Sequence, residues 1–180
     1  MNIIVTGTVG VGKTTVCEKV IQTAKSLGYS CGGILTPKAP DKGIIIVDIK
    51  TGEGKVLASI NSVYQGPHIG KYFFNPDAID FGIRAIERGT STDILFVDEI
   101  GYLELQGNGF VKILELIGTE KVKNSILVIR KELLPAFSSR LGSNLSIVET
   151  NIYNRNELPQ KICALLTSNS PTYSSKRGLR

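Results

Sequence analysis

Nine residues, GTVGVGKTT at 7–15, constrain the fold of this chain more than any other stretch. They fit the pattern G-x-x-x-x-G-K-[ST]; the apolar run IIVT at 3–6 precedes them, and residues with helical spacing follow. A strand before this pattern and a helix after it are the context in which it forms a phosphate-binding loop, or P-loop. An accidental glycine-rich turn is the alternative, and the two flanks argue against it.

The residue types in this loop suit a triphosphate. Glycines let the backbone curl so that successive N–H groups point at phosphate oxygens, and the following helix adds partial positive charge at its N-terminus. Lys13 is predicted to reach the β- and γ-phosphates, and the Thr14 hydroxyl is predicted to bind Mg²⁺. The predicted nucleotide-binding residues of the loop are Gly7, Thr8, Val9, Gly10, Val11, Gly12, Lys13, Thr14 and Thr15.

The rest of the chain alternates between strand-like and helix-like patterns. Buried strands are predicted at 3–6, 30–37, 93–97, 125–129 and 145–149. Helices are predicted from apolar residues at helical spacing within 16–27, 79–86, 110–117, 133–141 and 158–165. This alternation predicts an α/β fold with an open, mainly parallel sheet, helices on both faces, and ligands at the carboxyl ends of the strands.

One part of the chain departs from this alternation. The runs GIIIVDIK and GKVLASI are joined by the glycine-containing turn TGEG, which predicts a β-hairpin rather than a β-α-β unit. We expect residues 42–60 to form an antiparallel addition to the main sheet. After a glycine-bearing loop, Asn75 and Pro76 predict the start of the next helix, with Asn75 as its cap.

Two adjacent carboxylates, Asp98 and Glu99, follow the apolar run ILFV within ILFVDEIGYLEL at 94–105. Asp98 stands where P-loop proteins place the acid that holds Mg²⁺, usually through water. Where the strand ends, the ladder no longer fixes the face of Glu99, so its side chain can orient or deprotonate a water near the γ-phosphate. A surface carboxylate in a salt bridge is the alternative for Glu99.

Together these segments resemble one family of small P-loop nucleoside-triphosphatases, found in thermophiles and archaea and including the human cancer-related nucleoside-triphosphatase. GTVGVGKTT and VDEIGYLEL carry most of the resemblance, and IGKY at 69–72 and TNIYNRNEL at 150–158 extend it. The resemblance implies Mg²⁺-dependent hydrolysis of ATP, GTP and other triphosphates with little base selectivity, and it implies catalytic roles for Lys13 and Glu99. The segment LTPKAPDKG at 35–43 departs from the family's threonine-x-glutamate-x-arginine pattern, so either Lys38 replaces the arginine there or that contact is absent.

Three further polar residues follow predicted strands. Arg130 is a candidate transition-state arginine that would steady charge on the γ-phosphate, or it is a helix-start arginine paired with Glu132 or another acid. Asn154 and Arg155 are predicted to contact the nucleotide, because a planar guanidinium can stack on a base or meet a phosphate. A surface loop role is their alternative. Tyr102 and Glu104 also follow the acid pair closely enough to line the site.

Charge and composition add little evidence for other partners. The formal net charge is +5, but three basic residues, Lys176, Arg177 and Arg180, lie in the acid-free end SNSPTYSSKRGLR. We therefore expect a single domain at 1–167 and a disordered basic tail at 168–180, with a nucleic-acid partner not favoured. No secretory signal or membrane span is evident, so a cytoplasmic location and no membrane partner are expected.

Thiols and histidine give no sign of a further site. Cys17, Cys31 and Cys163 are far apart and form no C-x-x-C pair, so buried, inert thiols are expected. The lone His68 is expected in a surface position or a loop. A monomeric triphosphatase is the leading prediction, while a nucleotide-dependent switch with slow hydrolysis and a small-molecule phosphotransferase remain as alternatives.

Overall fold

The computed structural model describes residues 1–61, 63–117, 119, 121–138, 140–141 and 145–168. In this part of the chain a single sheet has the strand order β5-β6-β4-β3-β2-β7-β8-β1-β9. Its strands are β1 Asn2–Gly7, β2 Cys31–Leu35, β3 Ile44–Asp48, β4 Gly54–Ser59, β5 His68–Ile69, β6 Tyr72–Phe74, β7 Ile94–Ile100, β8 Ser125–Arg130 and β9 Leu145–Glu149. The tail predicted at 168–180 lies outside the described residues from 169 onward.

Helices cover both faces of this sheet, as predicted. They are α1 Lys13–Ser26, α2 Pro76–Gly89, α3 Tyr102–Leu105, α4 Ile113–Leu116, α5 Leu134–Ser138 and α6 Leu158–Ser168, with a 3₁₀ turn at Lys131–Leu133. Neighbouring residues of β1 enter different cores: Ile4 packs in the core that includes α2, whereas Ile3 and Val5 pack in the core that includes α1 and α6. Since successive side chains of a strand point to opposite faces, the sheet lies between two layers of helices.

The parallel half of the sheet forms the predicted scaffold. β1 pairs in parallel with both β8 and β9, and β7 pairs in parallel with both β2 and β8. The carboxyl ends of these strands therefore meet at one edge. The P-loop follows β1 and the acid pair lies at the end of β7, so the fold brings both to this edge.

The predicted hairpin is confirmed, and the antiparallel part is larger than expected. β3 pairs antiparallel with both β2 and β4, as the sequence indicates. β4 also pairs with β6, and β6 pairs with β5. The sequence predicts only a loop there, because runs of two and three residues are too short to show an alternating pattern.

The start of α2 follows its sequence signal. The side chain of Asn75 accepts a hydrogen bond from the backbone N–H of Asp77 at 3.1 Å, and Pro76 is the first helical residue. Asparagine satisfies one of the unpaired N–H groups of the first turn, and proline has no N–H that needs a partner. The predicted cap of this helix is therefore confirmed.

Some predicted helical positions are wrong. Leu27 follows α1 and is 57% exposed. Leu165 does lie on α6 as predicted, but it is 37% exposed, while its neighbour Leu166 is buried. The helix predicted within 110–117 is reduced to the four residues of α4, and Leu141 lies beyond the end of α5. The apolar side chains in both regions are nevertheless buried, because loops can carry them into the core as well as helices can.

Asp93 stabilises the amino end of the parallel strands, away from the P-loop. Its carboxylate accepts hydrogen bonds from the hydroxyl and the backbone N–H of Ser30, and it pairs with Lys123. These interactions, the Ser30 hydroxyl foremost, lower the pKa of Asp93 from 3.8 to about 2. Because the pKa is lower in the folded state, this stabilisation is present above pH 3.8 and is lost as the pH falls through about 2.

We expect Asp93→Asn to lower the free energy of unfolding by about 1 kcal/mol at neutral pH, a small value because Asp93 is partly exposed. The difference from the parent should be much smaller near pH 2, where about half of the Asp93 carboxyl groups are protonated and neutral like the asparagine. Urea unfolding at both pH values measures it, with the exposed Asp80→Asn as the matched control. A loss of equal size at both pH values would contradict the assignment.

Candidate active site

The site lies at the edge where β1, β2, β7 and β8 end. The loop from Gly7 to Thr15 joins β1 to α1, and the glycines Gly7, Gly10 and Gly12 have φ angles of 147°, 79° and 105°. A Cβ on Gly7 would lie 2.6 Å from the carbonyl oxygen of Thr150, so a side chain there would collide with the backbone after β9. The sequence predicts this curled loop, and the fold places it as expected.

Lys13 is buried beneath the loop. Its side-chain nitrogen donates to the carbonyl oxygens of Gly7 at 3.1 Å and Thr8 at 3.0 Å, and only 5% of the residue is exposed. The same nitrogen lies 3.8 Å from Oε2 of Glu99. An ammonium group with several acceptors at this distance can move to phosphate oxygens without leaving the site.

Asp98 lies beside Thr14 at the bottom of the site. The Thr14 hydroxyl hydrogen-bonds to its carboxylate, and the backbone N–H of Thr36, after β2, donates to Oδ2 at 3.3 Å. Burial raises the pKa of Asp98 from 3.8 to about 6 despite these hydrogen bonds, and the charge of Glu99 adds to the increase. Asp98 is 1% exposed, so a cation that binds here would compensate for the lost hydration of its charge.

The sequence predicts that the strand ends before Glu99. In the structure Glu99 lies instead in a bulge within β7. β7 continues to Ile100; Asp98 pairs with Val128 and Ile100 pairs with Ile129, so Glu99 has no partner in β8. A bulge inserts one residue and redirects its side chain. This is why two consecutive residues, Asp98 and Glu99, both reach the site although regular alternation would send them to opposite faces.

Arg130, the last residue of β8, pairs with Glu99. Its Nε donates to Oε1 of Glu99 at 2.6 Å, and its guanidinium carbon lies 5.6 Å from the centre of the Tyr102 ring. The acid that partners Arg130 is therefore Glu99 and not Glu132. Glu99 does form a salt bridge, as its alternative interpretation predicts. This ion pair lies within the site, however, and Glu99 is 24% exposed.

Glu104 holds the segment that follows the acid pair. Its buried carboxylate accepts from the backbone N–H of Gly101 at 2.7 Å and of Phe110 at 2.9 Å. Burial raises the pKa of Glu104. The sequence suggests that Glu104 lines the site but gives no sign that it organises residues 101–110; the acidic residue three positions after Gly101 was the available signal.

The segment 150–155 approaches the P-loop from β9. Asn154 uses its side chain within this turn, where its Nδ2 donates to the Glu149 carbonyl at 2.8 Å and its Oδ1 accepts from the Asn151 N–H at 2.8 Å. Arg155 is exposed, and its Cδ would lie 3.6 Å from a Cβ on Gly12. The fold therefore brings Arg155 next to the phosphate-binding loop, whereas Asn154 shapes the turn that carries it.

The sequence singles out five further residues, and Cys17 among them lies close enough to Asp98 and Lys13 for their charges to affect its pKa. Lys38 is exposed, and its backbone bridges to Ile44. His68 lies on β5, exposed and stacked on Phe73. Cys17, Cys31 and Cys163 are buried free thiols. Among the described residues, no helix is long and apolar enough to cross a membrane.

Comparisons with known proteins agree with this fold. A family described as NTPase matches residues 2–163. The nucleoside-triphosphatase THEP1 of Methanosarcina barkeri is 31% identical over 168 residues, which cover 90% of this chain and 95% of that protein.

Two solved structures share the fold. The crystal structure of THEP1 from Aquifex aeolicus superposes with a TM-score of 0.75 at 24% identity, over 92% of this chain and 99% of that one. The solution structure of a human cancer-related nucleoside triphosphatase gives 0.77 at 20% identity, over 94% and 99%. The predicted α/β P-loop fold and the predicted enzyme class, a nucleoside-triphosphatase, are confirmed, and the chain belongs to the NTPase family.

Proposed function

We propose that the chain is an Mg²⁺-dependent triphosphatase that transfers the γ-phosphoryl group of ATP, GTP and other nucleoside triphosphates to water. The observation that carries this proposal is the position of Glu99. Its carboxylate lies 3.8 Å from the Lys13 nitrogen, which is the phosphate-binding group of the loop, and 2.6 Å from Arg130. A carboxylate beside the terminal phosphate can act on a water placed in line with the bond that breaks.

In the first step the triphosphate enters the loop of residues 7–15. The Lys13 ammonium exchanges the carbonyls of Gly7 and Thr8 for β- and γ-phosphate oxygens, which carry formal charge and bind it more strongly. Loop N–H groups and the N-terminus of α1 supply the remaining positive potential. This binding uses only the phosphates, which every nucleoside triphosphate shares.

Thr14 and Asp98 are the residues that would hold Mg²⁺. They offer a hydroxyl and a buried carboxylate in mutual contact, and both are the oxygen ligands that this ion prefers. The described residues hold no cluster of three or more histidine, cysteine or acidic side chains, which suits an ion that takes most of its ligands from water and substrate phosphates. When bound, the ion neutralises charge on the β- and γ-phosphate oxygens.

Glu99 and Arg130 would act on the γ-phosphoryl group. Glu99 accepts a proton from water, the water oxygen bonds to the γ-phosphorus, and the bond to the β,γ-bridging oxygen breaks to release the diphosphate. Arg130 can turn from Glu99 to the γ-phosphate and stabilise the charge of the transition state. Both Lys13 and Arg130 lie near Glu99. Both side chains would therefore move from the Glu99 carboxylate to the phosphates as the substrate binds.

Arg155 supports low base selectivity. It is exposed next to Gly12, at the mouth of the loop, where a guanidinium plane can stack on a base. Stacking of this kind tolerates every base, because each base has a π face. We therefore propose a stacking role for Arg155 and none for the amide of Asn154, which is used within its own turn.

We also propose that the enzyme is a cytoplasmic monomer with one domain at 1–167 and that it needs no nucleic-acid partner. The single continuous sheet supports one domain, since its strands come from the whole length of the described chain. Removal of the basic residues in 168–180 should leave hydrolysis unchanged.

Phosphate release from ATP, GTP, CTP and UTP tests two properties together: the dependence of turnover on Mg²⁺ and the range of nucleobases that the enzyme accepts. We expect turnover with all four triphosphates to differ by less than about tenfold, because a stacking contact discriminates weakly. Removing Mg²⁺ with EDTA should abolish turnover, and adding it back should restore it. Strong selectivity for one base would contradict the proposed role of Arg155, and full turnover in EDTA would contradict the metal site.

A further inference from the structure

A cavity whose walls include no residue of the P-loop opens beside Glu99. It has a volume of about 250 Å³ and lies between the acid pair and the antiparallel strands β3 to β6. All four residues of IGKY, at 69–72, line it, and so do Phe74 and Tyr102. None of these residues belongs to the phosphate-binding loop. The IGKY segment therefore lines a cavity that the hydrolysis of a triphosphate by water does not need.

The cavity shares its inner wall with the proposed phosphoryl-transfer site. Glu99 and Arg130 line it, as does Thr36, whose N–H donates to Asp98. Oε1 of Glu99 accepts a hydrogen bond from Arg130, and Oε2 of Glu99 lies 3.8 Å from the Lys13 nitrogen. A molecule in the cavity would therefore contact Glu99, the residue proposed to take the proton from the attacking group.

The walls indicate what kind of molecule fits. Tyr72, Phe74 and Tyr102 present aromatic surface, which favours a flat ring. The side chains of Lys71 and Arg130 can only donate hydrogen bonds, and Arg130 has donors besides the Nε that binds Glu99, which suits carbonyl oxygens and ring nitrogens. Glu99 accepts hydrogen bonds but does not donate them when ionised, so the group that meets it should be a donor, and a hydroxyl is the donor that can also accept a phosphoryl group.

Size and charge narrow the class further. A volume of about 250 Å³ is slightly below the ~300–1,000 Å³ typical of pockets for drug-sized ligands, so the occupant is a small molecule. Two carboxylates, Glu99 and Glu104, and two cations, Lys71 and Arg130, line the cavity, so its charges balance and match a neutral molecule. A neutral ribonucleoside combines a flat ring, ring acceptors and hydroxyl groups within this size.

Resting on the proposed triphosphatase function, we propose that the cavity binds a neutral ribonucleoside whose hydroxyl replaces water as acceptor of the γ-phosphoryl group. Glu99 takes the hydroxyl proton, the hydroxyl oxygen bonds to the γ-phosphorus, and the bond between the γ-phosphorus and the β,γ-bridging oxygen breaks. The products are a nucleoside monophosphate and the nucleoside diphosphate, and the proton on Glu99 passes to solvent.

The experiment supplies ATP labelled at the γ-phosphate together with adenosine, guanosine, cytidine or uridine. Labelled monophosphate and labelled inorganic phosphate are separated, and their ratio is measured. Ile69→Trp fills the cavity from β5, whereas Val56→Trp adds the same side chain at an exposed position of β4 outside it. Saturation-transfer NMR measures binding of each nucleoside without any nucleotide present.

We expect labelled monophosphate from at least one nucleoside, a ratio at least tenfold lower in Ile69→Trp, and an unchanged ratio in Val56→Trp. The nucleoside should also give an NMR binding signal that Ile69→Trp loses. Phosphate release with no labelled monophosphate from any of the four nucleosides would overturn this inference and leave the triphosphatase intact. Nucleoside binding with transfer but no release to water would instead overturn hydrolysis as the function and support the acceptor cavity.

Discussion

Glu99→Gln is expected to bind ATP as tightly as the parent and to hydrolyse it at least about a hundredfold more slowly, the lower range for loss of a general base. Glutamine keeps the size of the side chain and can still meet Arg130, but its amide cannot take a proton from water. Single-turnover phosphate release measures the chemical step, and fluorescence titration with a labelled ATP analogue measures binding.

The exposed Glu157→Gln is the matched control, since it removes a surface carboxylate that pairs with Lys161. It should leave both measurements unchanged. Hydrolysis by Glu99→Gln at the parental rate would remove Glu99 from the mechanism and would leave its ion pair with Arg130 as a purely structural feature.

Lys13→Ala should lose both affinity and turnover. The nitrogen of Lys13 is the buried cation of the loop, and charge-assisted hydrogen bonds of this kind contribute about 1.5–3 kcal/mol each, or roughly tenfold to a hundredfold in affinity. The decrease in turnover should be larger than the decrease in affinity, because charge on the γ-phosphate oxygens changes in the transition state. Titration calorimetry and phosphate release measure the two effects.

Lys19→Ala is the control for this variant, because Lys19 lies exposed on the same helix, α1. It should bind and hydrolyse ATP as the parent does. If Lys13→Ala kept parental affinity, the phosphates would have to bind elsewhere than the loop, and the placement of the whole substrate would be wrong.

The core of the fold could be predicted because its signals are local. The P-loop pattern, the apolar runs of β1, β7 and β8, and the Asn75–Pro76 helix start each lie within a few residues. The helix expected within 110–117 failed for a physical reason. Gly107 and Gly109 adopt φ angles of 78° and 61°, and Glu104 binds the N–H of Phe110, so a turn occupies the place of its first residues.

The residues of the site also fall into two groups. Some belong to short sequence motifs, and others are brought together only by contacts between distant parts of the chain. Lys13, Thr14 and Asp98 belong to recognisable patterns, and they lie together at the predicted edge. The ion pair between Glu99 and Arg130 joins residues of two different strands, and the cavity beside Glu99 has walls from segments as distant as Ile44 and Phe110. No pattern within a single stretch of sequence records such contacts, because they depend on the order of strands in the sheet.

Nucleotide binding and nucleotide cleavage are assigned to adjacent residues, Asp98 and Glu99, and the bulge at Glu99 separates these two functions in the structure. Val128 and Ile129 are consecutive residues, and they pair with Asp98 and Ile100, so the ladder between β7 and β8 has no need of Glu99. A chain without this residue could keep an unbroken sheet, the loop and the acid beside Thr14. In evolutionary terms, under the proposed roles, a protein that only holds a nucleotide and one that cleaves it differ here by a single inserted codon.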